Sequence, residues 1–369
     1  MTDGTAAGSD IPTVVIGSAG RRLYLVDWFR DAFASLGMQG RVVVTENDPS
    51  SAAAGYGDLG RLMPRYTDPD YGPALLDLVD ELRPALFLSV NDYELMHLHV
   101  DTDLGTQMRS RGVLVPGVSR AWQSASADKL MMATALERIG VGTPETVTGD
   151  DAGGIARLAA RSEQLVVKHR LGSGSSGLAL VPAARVDEAL AAAVAGAPRR
   201  EDRPPSGQDV VVQPRLRGIE HGVDIVGDLH APGDLRAVLA RRKERMRAGE
   251  TDKAMTVPPE PFVGAATAIA RAAELSGLID VDMFLDEAAD GGRVCVIDIN
   301  PRFGGGYPFV HLAGADVPRY CVAAAFARPL DGGWRDYEIG AVSAKYESVR
   351  LTAREGSAAP ACSGGRAVR

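Results

Sequence analysis

Apolar residues follow two rhythms along the chain. Short β-branched or apolar runs without polar alternation occur at 13–16, 41–45 and 85–90, and each ends in glycine or small polar residues. Runs of that length predict strands buried on both faces. Between them, residues 23–36 and 74–82 place apolar side chains at helical spacing. Strands alternating with helices predict an α/β fold opening on a doubly wound parallel sheet, Rossmann-like, over residues 1–115. Past Pro116 the texture changes. A helix at 128–139, a strand at 165–168, a glycine- and serine-rich run at 171–177, an alanine-rich helix at 186–195 and a loop at 198–207 predict a small α+β lobe over 116–212. Strands at 210–213, 222–226 and 238–240, a helix at 262–275 and paired strands at 279–285 and 294–299 have short connections and predict an antiparallel lobe over 213–350. The tail 351–369, rich in Gly, Ala and Ser, reads as disordered.

Composition narrows the function classes. With 369 residues, 45% of them hydrophobic, and 42 glycines, the chain suits a multi-lobed α/β enzyme. A net charge of −8 argues against a nucleic-acid partner, which needs a broad excess of Lys and Arg. Three scattered cysteines give neither a disulfide framework nor a zinc spacing, and point to a reducing compartment. No stretch has the length of a membrane span and no leader pattern opens the chain, so the expected location is cytoplasmic, with no membrane partner.

Gly17 to Arg22 offers GxxG without the full dinucleotide pattern, although Glu46 ends the next strand where a ribose-binding acid would stand. The crevice near Arg21, Arg22, Glu46 and Asn91 to Glu94, with Asp92 among its candidates, is expected to receive part of a substrate. Lys168 ends a strand directly before Gly172-Ser173-Gly174-Ser175-Ser176-Gly177; backbone N–H groups there can wrap a polyphosphate while the lysine supplies point charge. A flexible linker is the bland alternative. Around Gln213-Pro214-Arg215-Leu216 a strand leaving its sheet can recognise adenine by backbone, and Glu220 has two acceptors for a ribose diol. Asp298 and Asn300 in Asp298-Ile299-Asn300-Pro301-Arg302-Phe303-Gly304-Gly305-Gly306 share a strand face, forming a hard-cation site beside an arginine, with Asp282 as a third oxygen ligand. The basic run Arg241 to Arg247, continuing to Lys253, reads as a loop facing a concentrated anion. Gly305, Gly306, Tyr307 and His311 are assigned to the acceptor side of the pocket.

Taken together, Asp128-Lys129, Val166 to Gly177, Gln213 to Asp224, the basic run to Lys253, Asp282 and Asp298 to Gly306 resemble the ATP-grasp superfamily in order and spacing, over roughly residues 14–330. The likeness is to stand-alone members similar to one carbamoyl-phosphate-synthase large-subunit module and to amino-acid ligases. The resemblance implies that Lys129 and Lys168 contact ATP phosphates, with the loop Ser173 to Gly177 closing over them. It places Gln213, Pro214 and Leu216 on adenine, Glu220 on ribose, and Asp282, Asp298 and Asn300 on magnesium, with manganese as an alternative ion. Arg302 and Lys253 become the catalytic cations. One departure is that the terminal metal carboxylate, often Glu in the family, is Asp298 here.

The chemistry so implied is an ATP-dependent ligase that makes an acyl phosphate and passes it to an amine, on small-molecule carboxylate and amine substrates such as amino acids or a small peptide. Other acceptors, a carbamoyl- or carboxy-phosphate product, a nucleotide-binding regulator and a nicotinamide oxidoreductase remain as alternatives. Oligomeric state is left open, a homodimer included.

Overall fold

The structure is a computed structural model, and it describes residues 11–172, 177–199, 203–289 and 292–352. The tail expected to be disordered lies outside these residues from 353 onward. Two compact units divide the chain: one holds residues up to Pro116 with Asp316–Trp334 and the segment from Glu347, the other Gly117–Ala315 with Arg335–Tyr346.

In the first unit, β1 (Thr13–Gly17), α1 (Leu23–Ser35), β2 (Arg41–Glu46), β3 (Leu59–Leu62), α2 (Tyr71–Leu82) and β4 (Leu86–Ser89) build a parallel sheet in the order β3-β2-β1-β4. All five residues of β1 are buried, as the unalternating run requires of a strand covered on both sides. The α1 side chains Leu25, Val26, Phe29, Ala32 and Phe33 are buried, and α2 contributes Tyr71, Leu75, Leu78, Val79 and Leu82 to a core with Val15, Val43 and Phe87. Strand β3 is not anticipated from sequence, because Leu-Gly-Arg-Leu has no β-branched residue; backbone pairing of Val43 to Glu46 with residues 59–62 supplies it. The chain continues through α3 (Asp92–Met96), a π-helical turn at His97–Asp101, and α4 (Leu104–Ser110).

The second unit begins with α5 (Arg120–Ala127) and α6 (Lys129–Arg138). Then come β5 (Val147–Thr148), α7 (Ala152–Arg161), β6 (Gln164–His169), β7 (Ala179–Pro182), α8 (Val186–Gly196) and β8 (Val210–Pro214). Their four strands form an antiparallel sheet, β5-β8-β6-β7. The larger sheet uses β9 (Ile219–Gly227), β10 (Leu235–Arg247), β11 (Glu250–Val257), β12 (Gly277–Asp286), β13 (Arg293–Asn300) and β14 (Val342–Ala344), in the order β13-β12-β9-β10-β11-β14. The helices α9 (Glu260–Ala272) and α10 (Tyr307–His311) complete this unit. The helix α11 (Val317–Ala325), expected with the antiparallel lobe, belongs to the first unit, where it packs on α1 with the Phe33 and Phe326 rings 5.6 Å apart.

Period-two alternation sorts the large sheet into two unlike faces. Val223, Ile225, Val238, Ala240, Ile279, Val281 and Met283 bury one face against Phe262, Ala266 and Ile269 of α9. The other face is ionic. Arg241, 1% exposed, bridges Asp224 on β9 at 2.5 Å and Asp280 on β12 at 2.6 Å. The basic run is therefore not a loop: its first half is a central strand whose cations meet acids on the neighbouring strand, and the β10–β11 hairpin carries the rest.

Three glycines make room for the buried guanidinium and its partner. A Cβ on Gly222 would lie 2.7 Å from Arg241 Nε, one on Gly306 2.3 Å from Nη2, and one on Gly304 2.1 Å from Asp280 Oδ2. Gly222→Ala should therefore destabilise the protein by ~1–3 kcal/mol through overpacking. Gly264→Ala, at an uncrowded position within α9, should instead stabilise it by ~0.5–1 kcal/mol. Urea unfolding of both variants checks the opposite signs.

Candidate functional site

The ionic face extends from the Arg241 bridge toward the far end of the same strands. Two residues on, Lys243 Nζ lies 2.6 Å from Glu220 Oε1 and 2.7 Å from Asp282 Oδ1. Asp282 stands directly opposite Asp298 in the β12–β13 pairing, and Asn300 follows on the Asp298 face. Like charges opposed across a pair of strands cost stability, so this arrangement needs a counter-charge. Lys243 neutralises only part of it. Burial raises the Asp282 pKa, the Asp280 and Glu220 charges raise it further, and Lys243 opposes them. Arg302 closes this edge, donating from Nη2 to Asn300 Oδ1 at 3.2 Å.

Lys168 approaches the same carboxylates from the end of β6. It is 7% exposed, and burial holds its pKa down to about 8, against the attraction of Asp298 and, more weakly, Asp282 and Glu220. Lys129 is its neighbour: its charge also lowers Lys168, and its Nζ donates to the Gly172 carbonyl at 2.7 Å. The base of the glycine-rich segment is pinned by a contact that sequence reading missed. Asp128 caps α6 through the Leu130 and Met131 N–H groups and takes an ion pair from Arg170 at 2.8 Å. The local signal was an Asp-Lys pair opening a helix, with an arginine following the lysine strand. Ser173, Gly174, Ser175 and Ser176 lie outside the described residues. Gly177 is in the left-handed region at φ 65°, and a side chain there would strike the His169 ring.

Several expected residues have other work. Gln213 is buried and donates to Thr146 Oγ1 at 2.7 Å, so its side chain secures β8 to the segment before β5. Beyond Pro214, the backbone N–H and carbonyl of Leu216 have no partner among the described residues, which fits recognition of a base edge by main chain. Lys253 is exposed on β11, opposite Arg245 and Ala344, and the lysine among the carboxylates is Lys243. The bulges in β10 between Lys243 and Met246 break the alternation by which Lys253 would be placed on that face.

Tyr307 does not line an open pocket: it is fully buried, donating to the Ala315 carbonyl at 3.0 Å and meeting His311 Nδ1 at 3.0 Å. Burial pushes the His311 pKa down to about 4, so the ring is neutral at ordinary pH. Gly306 is occupied by its approach to Arg241, while a Cβ on Gly305 would lie 3.4 Å from Lys345 Nζ. In the first unit, Arg22 Nη1 donates to the Val90 carbonyl at 2.6 Å, Arg21 is exposed, and Asp92 sits in the first turn of α3.

This donor set suits a hard cation that brings oxygen ligands of its own. Asp282, Asp298 and Asn300 offer oxygens on one face with surplus negative charge, and phosphate and water would complete the shell. Among the described residues, no group of three or more His, Cys, Asp or Glu side chains converges to hold an ion unaided. No described helix is long and apolar enough to cross a membrane.

An ATP-grasp domain model matches residues 126–306, and a PylC-like N-terminal domain model matches residues 14–109. No curated protein sequence matches. Among solved structures, the biotin carboxylase domain of Hydrogenobacter thermophilus 2-oxoglutarate carboxylase is 16% identical, with 90% of this chain and 74% of that one covered and a TM-score of 0.65. Campylobacter jejuni biotin carboxylase is 14% identical, covered at 90% and 74%, with a TM-score of 0.66. Thermotoga maritima N5-carboxyaminoimidazole ribonucleotide synthetase is 16% identical, covered at 90% and 80%, with a TM-score of 0.61. At these identities the likeness shows the fold.

The Lys168 geometry has a signed consequence. Its pKa falls from 10.5 unfolded to about 8 folded, so the burden of the buried cation is full below pH 8 and disappears as pH rises toward 10.5. Lys168→Met should raise the melting temperature at pH 7, with the gain shrinking across that window. Calorimetry at pH 7, 9 and 10.5 measures it.

Proposed function

The chain carries an ATP-grasp domain behind a PylC-like N-terminal domain, and from that premise we propose that it is an ATP- and magnesium-dependent ligase that activates a carboxylate as an acyl phosphate and joins it to an amine. The observation that carries this reading is the convergence of Lys168 with Asp282 and Asp298 at one end of the ionic sheet face. Two cations and a surplus of carboxylates at one place suit a magnesium–polyphosphate ligand and little else of small size. The solved Hydrogenobacter thermophilus structure is a complex with MgADP and bicarbonate, which supports the same ligand class.

In this reading Lys168 and Lys129 hold phosphate oxygens. The free backbone at Leu216 meets the adenine edge, and the Glu220 oxygen not engaged by Lys243 takes the ribose. Asp282, Asp298 and Asn300 would hold magnesium, which when bound would neutralise phosphate charge. Lys243 orients Glu220 and Asp282, and Arg302 faces the transferring phosphoryl group. The substrate carboxylate oxygen attacks the γ-phosphorus as ADP leaves; the amine then attacks the acyl carbon, phosphate leaves, and the amine loses a proton. No side-chain nucleophile is required.

A second reading makes bicarbonate the activated carboxylate, so that the intermediate is carboxy-phosphate. The carboxylases and the carboxyaminoimidazole synthetase among the solved structures favour it. Isotope-labelled bicarbonate offered beside pooled carboxylates and amines, with mass analysis of products, separates the two.

Asp298→Asn keeps the side-chain volume and removes a charged ligand. Turnover, followed as ADP and phosphate release, should fall by about 100-fold or more with an unchanged circular dichroism spectrum. Release of AMP would overturn phosphoryl transfer, and an unfolded variant would point to a structural role for Asp298.

A further inference from the structure

The first unit has a cleft of about 260 Å³ at the carboxyl ends of its parallel strands. Ligand pockets ordinarily run from about 300 to 1,000 Å³, so this one suits a molecule of amino-acid size and not a dinucleotide. It lies where the strand order reverses between β1 and β4, the place at which open parallel sheets collect ligands.

The cleft is polarised. Glu46 and Glu94 line it and are 8% and 4% exposed. Glu94 accepts from Tyr71 Oη at 2.5 Å, Ser89 Oγ at 2.5 Å and Ser18 Oγ at 3.0 Å, while Glu46 accepts from the Gly20 N–H at 2.6 Å. Thr45, 3% exposed, lines the same space, and its hydroxyl has no hydrogen-bond partner among the described residues. That hydroxyl is not sealed in the interior but opens on the cleft, where it is available to hydrogen-bond an occupant. Arg65 is the basic residue of the lining; it is exposed, and its guanidinium has no ion pair among the described residues.

Buried acids within and a guanidinium outside form the charge pattern of a zwitterion that enters amine first. We propose that this cleft binds a free amino acid, its ammonium beside Glu46, Glu94 and the Thr45 hydroxyl and its carboxylate on Arg65. Arg65, rather than Arg21 or Arg22, is then the carboxylate clamp. The Glu46 carboxylate, held to the glycine turn through Gly20, is an ammonium acceptor instead of a ribose ligand.

The test is isothermal titration of the full chain, without nucleotide, using glycine and both enantiomers of alanine and lysine as probes. Their N-acetyl and carboxamide counterparts serve as controls. At least one free amino acid should bind, its N-acetyl form about tenfold more weakly or worse. Arg65→Ala and Thr45→Val should each weaken binding by about tenfold with unchanged circular dichroism, and Arg65→Ala should leave the weak binding of the carboxamide as it was. The proposal is overturned if no probe binds at millimolar concentration, if the acetylated forms bind equally well, or if Arg65→Ala has no effect. With no nucleotide present, the outcome is independent of whether the second unit turns over ATP.

Discussion

The large sheet depends on burying one guanidinium between two carboxylates. Leaving any of the three without its partners would cost several kcal/mol, by the ordinary penalty for an unpaired buried charge, so Asp224, Arg241 and Asp280 must be satisfied together. Their strands are neighbours, β12-β9-β10, and a slip of one residue in either pairing would move an ion to the α9 face. The bridge thus selects the register. That register then aligns Lys243 and Asp282, next on the same face of their strands, with Glu220 further along β9, where the ionic face becomes accessible. The glycines at 304 and 306 lie over the same bridge, so the segment after Asn300 is held by close approach rather than left to swing.

How much of this was legible depended on whether a side chain's surroundings could be inferred from its neighbours in sequence. Val14–Ile16 and Val42–Val44 are apolar throughout, and burial on both faces follows from that alone. Asp298 and Asn300 were readable because period two within one strand fixes a shared face. By contrast, Leu235–Arg247 looks like a solvated run in its second half, since its cations are compensated by acids on two other strands, Asp224 and Glu220 on β9 and Asp280 and Asp282 on β12, which no local pattern reveals. The same blindness gave Lys253 a role that the geometry offers to Lys243, because strand bulges cannot be seen in composition. Tyr307 and His311 follow a glycine run, which suggested the acceptor side of the pocket; the Tyr307 ring is instead buried, its hydroxyl donating to the Ala315 carbonyl.

The chain separates two ways of handling negative charge. At the Arg241 bridge, two acids are met by one buried cation, with Asp224 Oδ1 and Arg241 Nε left without a hydrogen-bond partner among the described residues. At Asp282 and Asp298, and in the first unit at Glu46 and Glu94, carboxylates stay partly uncompensated at the edge of accessible space. The first arrangement contributes conformational uniqueness. The second leaves a field that, on the functions proposed above, an incoming cation or ammonium would relieve.

Lys168 has a consequence of a different kind. An amine whose pKa lies near 8 is roughly one-tenth free base at pH 7, hundreds of times more than an ordinary lysine, and the free base is the reactive form. A phosphate anion set against it would draw the proton back and quench that reactivity. At 7% exposure the amine would admit only small amine-directed reagents, and bound phosphate would protect it from those as well.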